Sequence, residues 1–242
     1  MASVLDCFKE KKPVIGVIHA KGDSDADVLR RAKEEIKIYL ENGVSGVLVE
    51  TYFGVYPQVE KILGYLQDAK FDAPYGVNCL NVDAMGFDLA TRFGCSFLQI
   101  DSVVGHVKPR DEPTLDAFFA KFRSECPAWL MGGVRFKYQP VLSKNTLSED
   151  LLIGMSRCDA VCVTEDATGQ ETSMDKINRF KAITGDFPLI VCAGVTPENA
   201  VAQLSIADAA VVGSYFKEGH KDVGDVCAEN VRALMAEVAK LR

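Results

Sequence analysis

Eight polar side chains follow short apolar runs, and several of their types are those of proton chemistry. His19 follows PVIGVI (Pro13–Ile18), Glu50 follows SGVLV (Ser45–Val49), and Asn78 and Asn81 lie at the end of the run from Tyr75. Asp101 follows Ser96–Ile100, Lys137 follows Trp129–Phe136, and Thr164 with Glu165 follows Asp159–Val163. Two carboxylates, a histidine and a lysine suit general acid/base work, with Glu50 and Asp101 moving protons and His19 and Lys137 stabilising developing negative charge. Other roles stay open at this point. Glu50 and Asp101 can form a structural network with Lys137 or share a divalent ion, and Lys137 can act as a charge clamp, a Schiff-base amine or the partner of Glu50. Asn78, Asn81, Thr164 and Glu165 suit substrate positioning.

A second chemistry is written into PLIVCAGVTPENAVAQLSIADAAVVGSYFK (Pro188–Lys217). Two apolar runs each end in a glycine turn, at Gly194-Val195 and at Gly213-Ser214. Between them Thr196 sits where a helix N-cap belongs, with Pro197 at the first helical position. Strand ends that shed side chains expose backbone N–H groups, and a helix N-terminus adds positive partial charge. Gly194, Val195, Gly213 and Ser214 are therefore candidate phosphate ligands.

Positioning these groups requires a strict order of elements. Short apolar runs alternate with amphipathic segments, such as Asp27–Glu41 with Val28, Ala32, Ile36, Tyr39 and Leu40 on one face. Eight strand–helix units, at a period of roughly 20–33 residues, predict a parallel sheet closed into a (β/α)8 TIM barrel. No G-x-G-x-x-G follows the first strand, which disfavours an open doubly wound sheet. In a barrel the polar residues all lie at the C-terminal ends of the strands, and the two glycine turns follow strands seven and eight, where such barrels hold phosphate. The Gly132-Gly133 pair within the fifth run predicts a bulge or a close backbone approach. No linker divides residues 1–242, so one domain is expected.

Composition narrows the class further. The 242 residues carry a net charge of −7 with no basic stripe, so nucleic-acid partners are not expected. The eight cysteines form no C-x-x-C pair, and several lie inside apolar runs. No signal core and no membrane span are evident, which points to a cytoplasmic chain. Only three histidines are present and none forms H-x-H, so neither a metal nor a cofactor is expected, and a metal-dependent hydrolase using His19, Glu50 and Asp101 is the weakest reading. The aromatic stretch Tyr52, Phe53 and Tyr56 is a candidate for covering a site or for contact between subunits of a homo-oligomer.

Eight pieces together resemble the BtpA/SgcQ-type barrel family, whose best-known member is a photosystem I biogenesis factor. They are KPVIGVIH (Lys12–His19), NGVSGVLVE (Asn42–Glu50), VNCLNVDA (Val77–Ala84), CSFLQID (Cys95–Asp101), the Lys137 region, DAVCVTEDATG (Asp159–Gly169), AGVTPENA (Ala193–Ala200) and DAAVVGSYFK (Asp208–Lys217). The resemblance runs over nearly the whole chain and implies the same barrel. Three places depart from the family's pattern. AKGDSD (Ala20–Asp25) replaces a Pro/Gly-rich loop, Leu80-Asn81-Val82-Asp83 replaces an Arg-Asn-Asp-like stretch, and Lys137-Tyr138 replaces a Lys-His pair. Two functions follow as expectations. One is acid/base chemistry of isomerase or lyase type on a small phosphorylated metabolite, a sugar phosphate or a nucleotide-derived one. The other, implied by the family, is a non-catalytic assembly or biogenesis factor that binds a protein partner.

Overall fold

The computed structural model describes residues 3–107 and 110–242. Eight parallel strands close on themselves in sequence order: β1 (Val14–His19), β2 (Gly46–Glu50), β3 (Tyr75–Asn78), β4 (Phe97–Ile100), β5 (Trp129–Gly133), β6 (Ala160–Val163), β7 (Leu189–Val191) and β8 (Ala209–Val212). The barrel is completed by β8 pairing with β1, Val14 opposite Ala210. Eight helices alternate with the strands: α1 (Asp25–Glu41), α2 (Tyr56–Ala69), α3 (Asp83–Arg92), α4 (Glu112–Arg123), α5 (Leu147–Arg157), α6 (Met174–Thr184), α7 (Pro197–Ile206) and α8 (Ala228–Val238). The (β/α)8 TIM barrel expected from the alternation is the observed fold.

The two-residue period of the strands divides the core into two compartments. Val14, Ile18, Val47, Val49 and Val77 point outward into a layer shared with the helices. Ile15, Val17, Leu48, Phe97, Met131, Cys162, Ile190 and Val211 fill the barrel interior. Phe97 has room because Gly76 on the next strand lacks a side chain; a Cβ there would lie 2.3 Å from the ring. Val4 and Phe8, from the segment before β1, pack on this interior set and close the end opposite the strand C-termini. The same period carries Ile15 and Val17 on to His19, Leu48 on to Glu50, Gly76 on to Asn78, and Phe97 on to Gln99 and Asp101. The topmost interior layer is therefore polar.

The outer layer is set by ordinary helix signals. Ser24 caps α1 through Asp27 N–H, and Thr146 caps α5 through Glu149 N–H. In α1, Val28, Ala32, Ile36 and Tyr39 are buried as the spacing predicts, Leu40 is half-buried, and Glu35 is buried with them. The Tyr39 ring covers Gly16, and its hydroxyl donates to Val17 O at 3.0 Å.

Two boundaries differ from those expected. The run Trp129–Phe136 is strand only to Gly133. Gly133 lies so close to β4 that a Cβ would be 2.2 Å from Asp101 O, and Arg135 then takes a left-handed φ of 48°, which ends the ladder. The glycine pair thus marks a close backbone approach, as expected. The spacing of Val231, Leu234, Met235, Val238 and Leu241 predicts a last helix from about Val226 to Leu241; the helix spans Ala228–Val238, because Val226 is held in an antiparallel bridge to Lys217.

Candidate active site

The polar layer forms a continuous chain of contacts across the mouth of the barrel. His19 Nε2 lies 3.5 Å from Glu50 Oε2. Asn78 Nδ2 donates to Asp101 Oδ1 at 3.0 Å and reaches Glu50 Oε1 at 3.5 Å. Gln99 Nε2 donates to Asp101 Oδ1 at 3.2 Å, while its Oε1 is buried without a partner among the described residues. On the other side of His19, Nδ1 lies 2.6 Å from Nζ of Lys217, a lysine only 1% exposed. The first four strands and the segment after β8 thus contribute to one network.

Within it the two carboxyl groups are driven apart. Burial pushes Glu50 up, but the hydrogen bond from His19, together with the charges of Lys137 and Lys217, holds it below the usual glutamate range. Burial, and then the charge of Glu50, raise Asp101 above the aspartate range; the amides of Asn78 and Gln99 only partly oppose this. Such a split is the arrangement in which one carboxyl group can serve as a base and its neighbour as an acid. Lys217 is lowered to about 8, chiefly by desolvation, with Glu35, Glu50 and Asp222 opposing the fall. Glu35 is raised to about 7, again mainly by burial.

The two glycine turns lie beside this network and shape a cradle at the mouth of the barrel. Gly194 adopts φ 66°, and a Cβ there would be 2.3 Å from Gln170 O, so only glycine fits. Asn199 holds the turn by accepting from Thr196 N–H at 2.8 Å and donating Nδ2 to Gly194 O at 2.9 Å. Among the described residues, the backbone N–H groups of Gly194, Val195, Gly213 and Ser214 have no acceptor from the protein. The same four residues line a cavity of about 350 Å³ whose wall also includes His19, Glu50, Gln99 and Lys137. A neighbouring lobe of about 210 Å³ adds Asn78, Asn81, Asp101 and Tyr52. The cradle is not purely positive: Glu198 at the start of α7 lines it, and Asp222 accepts from Ser214 Oγ at 2.6 Å.

Ten of the twelve residues expected at a site therefore surround this mouth: His19, Glu50, Asp101, Lys137, Asn78, Asn81, Gly194, Val195, Gly213 and Ser214. Lys137 Nζ has no hydrogen bond or ion pair among the described residues and is available to a ligand. The other two serve as supports. Thr164 is fully buried, and its Oγ1 accepts from Lys137 N–H at 2.7 Å. Glu165 accepts from Ser173 N–H at 3.0 Å, caps the approach to α6, and is not part of the cavity wall. The reading of residue types missed Lys217, Asp222 and Gln99. Gln99 was available from the two-residue period before Asp101; Lys217 and Asp222 arrive through a return of the chain that carries no periodic signal. His19, Glu50 and Asp101 do not form a ligand set, since no three His, Cys, Asp or Glu side chains among the described residues converge as metal ligands. No helix among the described residues is long and apolar enough to cross a membrane.

The BtpA family model matches residues 10–240. This chain belongs to the BtpA family. The match takes in every strand and all of the cavity wall. The chain is 27% identical over 259 residues to an uncharacterized protein of Pyrococcus horikoshii, covering 96% of this chain and 97% of the relative. It is 22% identical over 236 residues to the photosystem I biogenesis protein BtpA of Synechocystis, covering 87% and 82%. Among solved structures, phosphoribosyl anthranilate isomerase from Thermus thermophilus superposes with a TM-score of 0.65 at 13% identity, over 95% of this chain and 100% of that one. N-acetylmannosamine-6-phosphate 2-epimerase from Clostridium perfringens gives 0.57 at 14%, over 94% and 93%. At such identities the solved structures share the fold with this BtpA-family chain, and the site must be argued from its own residues.

Proposed function

We propose that this BtpA-family barrel binds a small phosphorylated metabolite, a sugar phosphate or a nucleotide-derived one, and catalyses an isomerase- or lyase-type step on it. The observation that carries the reading is the paired turns at Gly194-Val195 and Gly213-Ser214, whose N–H groups lack protein acceptors among the described residues and which line a cavity beside two oppositely shifted carboxyl groups. A phosphate seated on those N–H groups places the rest of the ligand over His19, Glu50 and Asp101. Glu50, the ionised partner, removes a proton. Asp101, which holds its proton more tightly than an ordinary aspartate, returns one, and Lys137 with His19 stabilises the negative charge that develops between the two steps. The anthranilate isomerase and the epimerase named above carry phosphate in their substrates' names, which supports a phosphate ligand here. The test is twofold. Isothermal titration with inorganic phosphate and sugar phosphates should show binding that Gly213→Ala weakens, and no heat at tens of millimolar phosphate would sink the cradle. Incubation with the same sugar phosphates in D₂O should put deuterium into one of them, and Glu50→Gln should stop it.

A second reading, a non-catalytic assembly factor with a protein partner, is favoured by one observation. Phe53, Val55, Val82, Tyr138, Val141, Leu142 and Val223 are large apolar side chains exposed on the loops that surround the same mouth. The Synechocystis relative is named for photosystem I biogenesis, which fits a partner surface at this face. Capture of one protein partner, lost on replacing Phe53 and Tyr138 with serine, with no deuterium incorporation from any sugar phosphate, would favour it over the enzyme.

A further inference from the structure

Lys217 makes the closest contact to His19, yet it cannot touch a ligand. It is 1% exposed, is absent from the cavity wall, and has its Nζ enclosed by His19 Nδ1 at 2.6 Å and Asp222 O at 3.4 Å. The position is reached by a tight return of the chain. The Lys217–Val226 bridge and the bond from Glu218 N–H to Asp225 O at 2.9 Å close a hairpin, and Asn230 Nδ2 donates to Lys217 O at 3.0 Å. The stem is thus fixed at both ends, and no rotation of the backbone is needed to bring the amine to the imidazole.

We propose that Lys217 is a positioning residue that holds His19 as the tautomer with its proton on Nε2, so that the ring's one N–H points at Glu50. An ammonium has three donors and no acceptor, so an imidazole nitrogen 2.6 Å away must offer its lone pair. Nδ1 is that nitrogen. The proton of the ring then resides on Nε2, which faces Glu50 Oε2 at 3.5 Å. Nδ1 is also 3.4 Å from Asp222 O, and in the other tautomer it would donate there; the much shorter approach of Lys217 decides against this arrangement. The tautomer matters because Nε2–H both steadies the Glu50 carboxylate and is the donor available to an oxyanion over the mouth. A ring with its proton on Nδ1 would instead set a lone pair against the carboxylate. Other charged groups around Lys217 are Glu35 on α1, Lys21 after β1, Glu50 and Asp222. None of them is within ion-pairing distance among the described residues, so the ammonium is directed to His19 rather than drawn away.

This role rests on the acid/base reading of the mouth, but it is tested without ligand or turnover. The full-length chain labelled with ¹⁵N is examined by long-range ¹H–¹⁵N correlation at pH 7; with only three histidines, His106→Gln and His220→Gln leave His19 assigned. The expected result is a pyrrole-like Nε2 and a pyridine-like Nδ1 for His19 in the wild type, and loss of that pattern in Lys217→Met, whose side chain has similar length. A wild-type ring with its proton on Nδ1 would overturn the proposal, as would an unchanged tautomer in a Lys217→Met protein with native circular dichroism. The wild-type spectrum decides even if the variant does not fold. A phosphate titration that fails while the Nε2–H tautomer is present would count against the cradle alone.

Discussion

Glu50 and Asp101 both lie within reach of one amide nitrogen, Nδ2 of Asn78, at 3.5 and 3.0 Å, yet their carboxyl groups are shifted in opposite directions. The difference comes from what stands on the far side of each. Glu50 faces His19, with Lys137 and Lys217 beyond, whereas Asp101 faces a neutral amide and the charge of Glu50 itself. Asp101 is therefore the carboxyl that holds its proton more tightly, and Glu50 the one that gives its proton up more readily and offers a free lone pair. That asymmetry is what acid/base chemistry at neutral pH requires.

Asp101→Asn should stabilise the protein at neutral pH. The folded state holds the Asp101 proton more tightly than the unfolded chain does. Stability is thus lost as pH rises above the unfolded aspartate value of about 3.9 and through the higher folded value. Asparagine has no ionisation to oppose. The midpoint of thermal unfolding should rise by roughly 2–4 °C at pH 7, about 1 kcal/mol for a chain of this size, and the gain should shrink toward pH 4. A lower midpoint at pH 7 would mean that the ionised carboxylate is a structural partner.

The two cradle glycines should separate folding from binding. Gly194→Ala meets Gln170 O and a left-handed φ, so it should cost about 1–3 kcal/mol in denaturant unfolding whatever it does to ligand. A Cβ on Gly213 has only Val17 near it, at 3.6 Å, so Gly213→Ala should fold with near-normal stability. Its methyl group enters the cavity, and phosphate affinity should fall about tenfold, roughly 1.4 kcal/mol. Equal phosphate affinity in Gly213→Ala and wild type would place the anion elsewhere.

Asp222→Asn should tighten anion binding. The Asp222 carboxylate occupies the cradle by accepting from Ser214 Oγ at 2.6 Å, with Tyr52 OH 3.5 Å from its other oxygen. An incoming phosphate must share Ser214 with it and bear like-charge repulsion. Removing the charge while keeping the shape should lower the phosphate Kd by roughly tenfold. The gain should fall with added salt, in keeping with its electrostatic origin. Weaker binding in Asp222→Asn would show that the carboxylate helps hold the ligand instead.

Much of this site is legible in the sequence because it sits on strands. Interior positions two residues beyond a packed core residue must point into the barrel, so His19, Glu50, Asn78 and Asp101 are placed by period alone. Gly194 and Gly213 are legible for a related reason, since strand ends that need close backbone approach select glycine. Lys217 and Asp222 are not, because a hairpin closed by one bridge brings them back over the mouth and leaves no periodic mark. Glu35 is the converse. Its position at Ile36 minus one looks like the edge of an exposed face, and only the return of the chain toward α1 buries it. Thr164 and Glu165 follow an apolar strand as the others do, but one faces the Lys137 backbone and the other the start of α6, which residue type does not reveal.

Lys217→Met should change how stability depends on pH. The amine is lowered to about 8 in the folded chain, against about 10.4 unfolded. Between these values the unfolded chain binds more protons, so wild-type stability climbs as pH rises through the window; below about 8 both states carry the charge and the folded one bears the cost of its burial. Methionine removes that cost, which linkage puts at about 3 kcal/mol. It also removes a charged hydrogen bond to His19, worth about 1.5–3 kcal/mol, so the net change at pH 7 should be small. The informative quantity is the difference between variant and wild type in denaturant unfolding, which should move in favour of wild type by about 2–3 kcal/mol between pH 7 and pH 10. A difference that stays flat across that interval would show that Lys217 is hydrated in solution and that its amine does not carry a buried charge against His19.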